Sequence, residues 1–421
     1  MKNFLLYGNF VFILGCGTDV IERHQQILAI NRIDDMRISE CAQISTRFAL
    51  RLYQSLPNSG QNVAFSPLGV MSVVGVLKTG ARGDTAAQLS SVLHPDIPGI
   101  HLDDALAATV AYLADNSKDF TGTFDKVNKN DSMFSVSNAI WVPDGSQIRP
   151  EVESVLKTKY FCNLFDNKAG KSKHFNEWVN ANTSRKRVFS KEREGHSPHL
   201  GLTLANSINF RMKWLDQFEE AETKDGSFFV AAGKVVKTSM MYQTTRSFRI
   251  GRGPGLRVLE MPYIGKKFSL LVILPDRPDG LPELEKALTI DHLSQWISSL
   301  QPKEVAVGLP KFSISVQNQL GDALRTMGLT LPFGEFADFS GFYAQLKGYS
   351  VSEVVHIASI DMNEQGTDAA AVTYLTVSGD DMDSQEVFYA DHPFLYIIRD
   401  NHYGNLIFMG ALKDPGRDHN E

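Results

Sequence analysis

The usual signatures of a nucleophile beside a base, or of gathered metal ligands, are absent: there is no Gly-x-Ser-x-Gly, His-Glu-x-x-His or Cys-x-x-Cys. His196-Ser-Pro-His199 is the nearest thing to a ligand pair, and its proline works against presenting both imidazoles from one helix face. Gly251-Arg-Gly-Pro-Gly-Leu256 mimics a phosphate loop. A strand pattern, residues 256–263, follows it, so no helix N-terminus is available for a phosphate and a turn is expected. The chain is therefore read as no enzyme, with no catalytic residue, metal or cofactor.

The informative stretch is residues 361–379, which fits two environments. Counted in twos from Thr367, one side carries Thr367, Ala369, Ala371, Thr373, Leu375 and Val377, a set that suits a sheet interior. The stretch nevertheless begins at a bend, Glu364-Gln-Gly366, and runs into Asp380, Asp381 and Asp383, which argue for exposure. An exposed segment built to be buried implies a switch.

Glu364-Gln-Gly-Thr-Asp-Ala-Ala-Ala371, then Phe388-Tyr-Ala-Asp-His-Pro-Phe-Leu395 and Leu406-Ile-Phe-Met-Gly-Ala-Leu412, resembles the hinge, reactive loop and C-terminal strands of the serpin family. Asn62-Val-Ala-Phe-Ser-Pro67 and Gly80-Ala-Arg-Gly-Asp-Thr85 resemble its N-terminal block, and Leu309-Pro-Lys-Phe312 a further one. The resemblance implies an α+β serpin fold of three β-sheets and about eight or nine helices with an exposed reactive-centre loop. It runs from about Ser39 to Pro415, and with the reading of the first residues given below the chain divides into a signal peptide (1–17), an N-terminal extension (18–38), a serpin domain (39–415) and a C-terminal tail (416–421).

What the resemblance implies for function is suicide-type, covalent inhibition of a serine protease, trapped when the cleaved loop inserts into the central sheet. The alternative is a non-inhibitory serpin acting as carrier, chaperone or hormone-binding module. Between them stands the hinge, matched by Glu364, Gly366, Thr367, Ala369, Ala370 and Ala371: inward residues must be small and uncharged, because an unpaired buried charge is prohibitive. Ser66, Asn206 and His356 match the family's shutter region. Family spacing, fourteen residues beyond the hinge glycine, places the reactive bond at Asp380 with Asp381 following; Gly379 and Met382 are the neighbouring alternatives. Aspartate suits a granzyme-B-like protease, and Met382 a chymotrypsin-like or elastase-like one. Trypsin-like targets are disfavoured, since no Arg or Lys occurs between Gly366 and Asp391.

Composition sets outer limits. The 421 residues allow two or three domains at ~150 each, and 43% hydrophobic content supports a large core. A net charge of -6 gives no global footprint for nucleic acid or an anionic membrane, so neither is an expected partner, and a monomer is expected. Met1-Lys-Asn followed by the apolar run Phe4 to Cys16 reads as a signal peptide, too short to span a bilayer, and implies a secreted, extracellular protein. Leu14-Gly-Cys16 loosely fits a lipidation site as well. Cleavage near Gly17 would leave Cys41 and Cys162, too few for a disulfide scaffold, with free buried thiols the blander reading. Asn130 and Asn182 head glycosylation sequons. Residues 101–119 set Asp103, Asp104, Asp115 and Asp119 against Lys118 alone, so heparin is not expected at the family's usual helix.

The elements that must position these residues follow from spacing. Ile44, Phe48, Leu52 and Leu56 recur every four residues, predicting a helix over residues 38–56 stopped at Pro57. Residues 62–65 read as a strand turning at Ser66-Pro67 into an apolar helix that ends near Gly80. Residues 134–142, 202–214, 267–275 and 305–316 carry strand patterns, residues 175–183 a helical one, and Leu320, Leu324 and Met327 a short helix ending at Gly328. Met212 stands where the family usually has glycine, which leaves the local turn open.

Overall fold

The structure, a computed structural model, describes residues 19–57, 60–93, 102–114, 132–143, 147–166, 171–182, 201–230, 233–343, 349–367 and 386–416. The first third of the chain gives α1 (Asp19–Ser55), β1 (Val63–Phe65), α2 (Pro67–Gly80), α3 (Gly83–Leu93), α4 (Leu102–Ala114) and β2 (Ser132–Val142). Then come α5 (Pro150–Lys159), β3 (Cys162–Asp166), α6 (Lys171–Asn182), β4 (Gly201–Lys213), β5 (Lys224–Val230), β6 (Lys234–Gly253), β7 (Leu256–Pro262) and β8 (Phe268–Pro275). The chain continues through α7 (Leu281–Ala287), α8 (Ile290–Ser298), β9 (Gln301–Pro310), β10 (Phe312–Gln319), α9 (Gly321–Thr326) and β11 (Ser350–Asn363). It closes with β12 (Gly366–Thr367), β13 (Glu386–Tyr389), β14 (Phe394–Asp400) and β15 (Leu406–Leu412).

Two hydrogen-bonded sheets hold the described strands. One has six strands in the order β10-β11-β12-β4-β2-β3; the other has nine, β1-β15-β14-β8-β7-β6-β9-β13 with β5 on β6. Strands expected in two separate sheets form one hydrogen-bonded sheet here, because β6 pairs along its length with several of them. Its first half pairs with β5 and its second with β7, and its register with β9 shifts between Gln243 and Arg246.

Every residue of β8 and β15 is buried, as continuous apolar runs demand when both faces of a sheet are covered. Distant chain segments meet there, Val63 opposite Ala411. Behind them lies α2, packed on β4 and β15, with Pro67 in its first turn and the Ser66 hydroxyl accepting the Gly69 N–H at 3.3 Å.

Two expectations are corrected. α1 begins at Asp19 rather than residue 38: no glycine or proline lies between Asp19 and Ser55, so nothing stops the helix. Met212 sits at no turn. It is a buried β4 residue, opposite Ser132 on one side and Thr367 on the other. Cys41 and Cys162 are buried free thiols; burial pushes Cys41 up to about 12 and raises Cys162 as well. Residues 1–17 lie outside the described residues.

Candidate functional site

The six-stranded sheet is wedged open at one end by the start of the switch segment. β11 finishes at Asn363, whose Oδ1 accepts the N–H groups of Gln365 (3.0 Å) and Gly366 (3.2 Å) and so folds the chain back on itself. Gly366 then adopts φ +153°, and a Cβ there would stand 2.1 Å from the Met212 carbonyl oxygen, so only glycine lets this backbone lie flush on β4. Gly366 and Thr367 pair antiparallel with Asn363 and Met362 of β11, and with Lys213 and Met212 of β4. Two residues thus already form the start of a strand between β11 and β4.

Side chains fix that start. Thr367 is 0% exposed, and its Oγ1 lies 2.8 Å from the Tyr263 hydroxyl. Trp214 donates its backbone N–H to Gln365 O (2.8 Å) and its indole N–H to Asn363 O (3.0 Å), and Phe218 N–H donates to Glu364 O (2.9 Å). The Glu364 carboxylate, 7% exposed, takes Lys311 Nζ at 2.9 Å and the Thr223 hydroxyl at 2.9 Å. Burial alone would raise its pKa; hydrogen bonds from its own backbone, Lys311 and Thr223, with the Lys311 charge, hold it below the usual carboxylate value.

Further along the sheet β11 and β4 run side by side and parallel, from Ser350↔Gly201 to Ala358↔Ile208, where their direct ladder ends. Within it His356 stands opposite Asn206. Ser66 N–H donates to His356 Nε2 at 2.9 Å, which leaves the ring proton on Nδ1 to be donated to Asn206 Oδ1, also at 2.9 Å. The Asn206 amide donates to Asn138 Oδ1 (2.8 Å), and Asn138 Nδ2 to Tyr160 O (2.6 Å). Burial keeps His356 neutral, its pKa pushed down to about 3. A Cβ on Gly69 would lie 2.2 Å from Asn206 Oδ1, a measure of how closely α2 backs this network.

At the far end of the segment, β13 lies parallel to β9. Arg252 (2.6 Å) and Lys303 (3.4 Å) hold Glu386, and Arg257 donates to Val387 O at 3.0 Å with its guanidinium 5.6 Å from the Phe388 ring centre. Between the two anchored ends, residues 368–385 lie outside the described residues, and with them Ala369, Ala370, Ala371, Gly379, Asp380, Asp381 and Met382. Asn130, His196 and His199 lie outside them too. Asn182 ends α6, where its Nδ2 donates to Trp178 O at 2.8 Å.

The structure thus gathers Glu364, Gly366 and Thr367 at one end of the sheet and Ser66, Asn206 and His356 midway along it. Sequence reading missed Tyr263, Thr223, Lys311 and Asn138. Tyr263 is 104 positions from Thr367, so no local spacing links them. Lys311 did carry a signal, its place in the Leu309-Pro-Lys-Phe312 block.

The site is therefore a six-stranded sheet in a mixed α+β protein, with the first two residues of a long connection lying between two of its strands. A family model described as Serpin (serine protease inhibitor) matches residues 43–415, and the chain belongs to this family. Human Serpin B4 is 31% identical over 396 residues, covering 90% of this chain and 100% of that protein. Bovine (Bos taurus) leukocyte elastase inhibitor is also 31% identical over 396 residues, again covering 90% and 100%. Among solved structures, human thyroxine-binding globulin complexed with thyroxine superposes with a TM-score of 0.79 at 24% identity, covering 90% of this chain and 100% of that one, a likeness of fold.

Proposed function

We propose that this chain is a suicide-type inhibitor of a serine protease. The carrying observation is the antiparallel pairing of Gly366 and Thr367 with both β11 and β4, which is how an inserting strand would begin. In this reading the protease serine oxygen bonds to the carbonyl carbon of Asp380, the peptide C–N bond to Asp381 breaks, and the departing amine takes the proton from the protease's base. The remaining ester links the two proteins. The freed loop then zips in behind Thr367 as a strand added to the sheet, carries the protease along and distorts its oxyanion hole before water can release it.

Glu364, Gly366, Thr367, Ala369, Ala370 and Ala371 act as hinge, and Ser66, Asn206 and His356 hold the sheet shut. The relative named leukocyte elastase inhibitor supports an elastase-type target, which would place the cut at Met382; the loop count favours an aspartate-cleaving protease at Asp380. The protein is consumed as it acts, works as a monomer without a cofactor, and is secreted through residues 1–17 with Asn130 and Asn182 as candidate glycan sites. Heparin is not assigned to α4, whose Asp103 accepts the Tyr160 hydroxyl (2.6 Å) and whose Asp104 pairs with Lys159 (2.6 Å).

Incubation with a panel of chymotrypsin-like, elastase-like and aspartate-cleaving serine proteases tests the reading. An SDS-stable complex, with a released C-terminal peptide beginning within residues 380–383, is expected. Clean cleavage in the loop with full recovery of every protease would instead favour a carrier or hormone-binding role.

A further inference from the structure

We propose that Tyr263 is a positioning residue that seats the hinge before any cleavage, so that strand insertion starts from a formed nucleus. This rests on the inhibitory reading and deepens it. Tyr263 is buried, its ring stacked on Trp214 (centroids 4.5 Å apart, 10° between planes) and T-shaped against Phe210, with those ring centroids 5.2 Å apart. Its backbone is bolted to the exit of β4: Ile264 N–H donates to Lys213 O at 2.9 Å, and Leu215 N–H to Pro262 O at 3.0 Å. The phenol therefore cannot follow the hinge if the hinge lifts away. It is a fixed post on the β4 side of the opening.

Thr367 needs such a post. A strand of two residues forms too little ladder to offset the ordering of its own backbone, so its seating depends on what its side chain finds. Among the described residues its Oγ1 meets the Tyr263 hydroxyl at 2.8 Å and otherwise the Met362 sulfur at 3.9 Å. Both hydroxyls are buried, so their bond is made away from competing water, and lifting the hinge breaks it. With Thr367 held, every later residue of the cleaved loop adds to an existing end. Released, the hinge would have to find the gap between β11 and β4 again while the acyl-enzyme is being hydrolysed.

Three variants isolate the contact. Tyr263→Phe keeps the ring and its stacking, Thr367→Val removes the other hydroxyl, and Thr367→Ser returns it. The first measurement is amide hydrogen exchange across residues 364–367 of the uncleaved protein. The second, with a protease that the parent traps, is the number of inhibitor molecules consumed per protease together with the rate of the first cut. Expected are faster exchange in Tyr263→Phe and Thr367→Val and an excess of stoichiometry over one that rises by up to about five-fold, the weight of one buried hydrogen bond. The first-cut rate should not slow, the double variant should add nothing to either single one, and Thr367→Ser should recover seating lost in Thr367→Val. Unchanged exchange in Tyr263→Phe overturns the proposal, as does faster exchange with unchanged stoichiometry. If the parent traps no protease at all, the inhibitory reading falls and takes the insertion role with it; exchange then still decides whether Tyr263 holds the hinge.

Discussion

His356 Nδ1 donates to Asn206 Oδ1 at 2.9 Å across the line along which a new strand would have to enter, since these residues are register partners on β11 and β4. Under the proposed insertion the two strands would separate and this bond would break, so His356 and Asn206 would resist opening. The bond requires a neutral ring that also accepts the Ser66 N–H.

Acid should weaken this lock. The folded pKa of His356 is pushed down to about 3 by burial, below its ordinary value near 6.5, so between those limits the unfolded chain binds a proton that the folded one refuses. Stability is then full above about pH 6.5 and falls toward pH 3, by at most about 1.4 kcal/mol per pH unit from this group. His356→Gln should be less stable at pH 7 yet show a shallower fall, by up to one proton, in urea midpoints measured from pH 7 to pH 4. Parallel curves for the two proteins would contradict this.

Lys311→Met removes the cation from Glu364, a carboxylate 7% exposed, while leaving the Thr223 hydroxyl. Because the lysine itself is 48% exposed, a loss of about 2 kcal/mol is expected at pH 7, short of the fully buried limit. Glu364 has a depressed pKa in the fold, so the stabilisation from its pairing is present above the unfolded value of about 4.3 and fades as pH falls through the folded one. The gap between parent and variant should therefore narrow in acid; denaturant titrations at pH 7 and pH 3.5 measure it.

Gly366→Ala puts a methyl 2.1 Å from the Met212 carbonyl oxygen at a φ of +153°. Neither strand can yield without breaking its ladder, so the hinge should leave the sheet, at a cost of about 2 kcal/mol or more. Limited proteolysis near residues 364–367 should accelerate in this variant and complex formation should fall.

Thr367→Arg tests the same seat with charge. An unpaired guanidinium beside Tyr263 and Met362 is costlier than leaving the hinge outside, so insertion should stall and the protein be cut as an ordinary substrate. Asp368→Arg, on the opposite side of the expected strand, should retain inhibition. Equal trapping by Thr367→Arg and the parent would remove the inward assignment.

Much of this site is legible in the chain itself. Alternation in twos places Thr367 inward, and the bend at Glu364-Gln-Gly366 is the turn that returns the chain from β11 toward β4. Ser66, Asn206 and His356 are reached through family resemblance. What stays hidden are partners distant in sequence: Tyr263 and Trp214 under the hinge, Lys311 and Thr223 on Glu364, and Asn138 behind Asn206. Such contacts carry no period, because they are set by how strands stack rather than by how one strand alternates. Spacing also understates α1, which starts at Asp19 although the four-residue recurrence begins only at Ile44, and it gives no hint that β6 pairs with β5, β7 and β9 alike.

The central claim is that this chain stores a strand which cleavage releases into the sheet, and melting the intact and loop-nicked proteins side by side tests it most directly. A single cut between residues 377 and 382 should raise the midpoint by roughly 10 °C or more, the shift that about 5 kcal/mol produces at about 2 °C per kcal/mol. The gain comes from new ladder partners on β11 and β4 and burial of Leu375 and Val377. An unchanged or lower midpoint in the nicked protein would contradict the account.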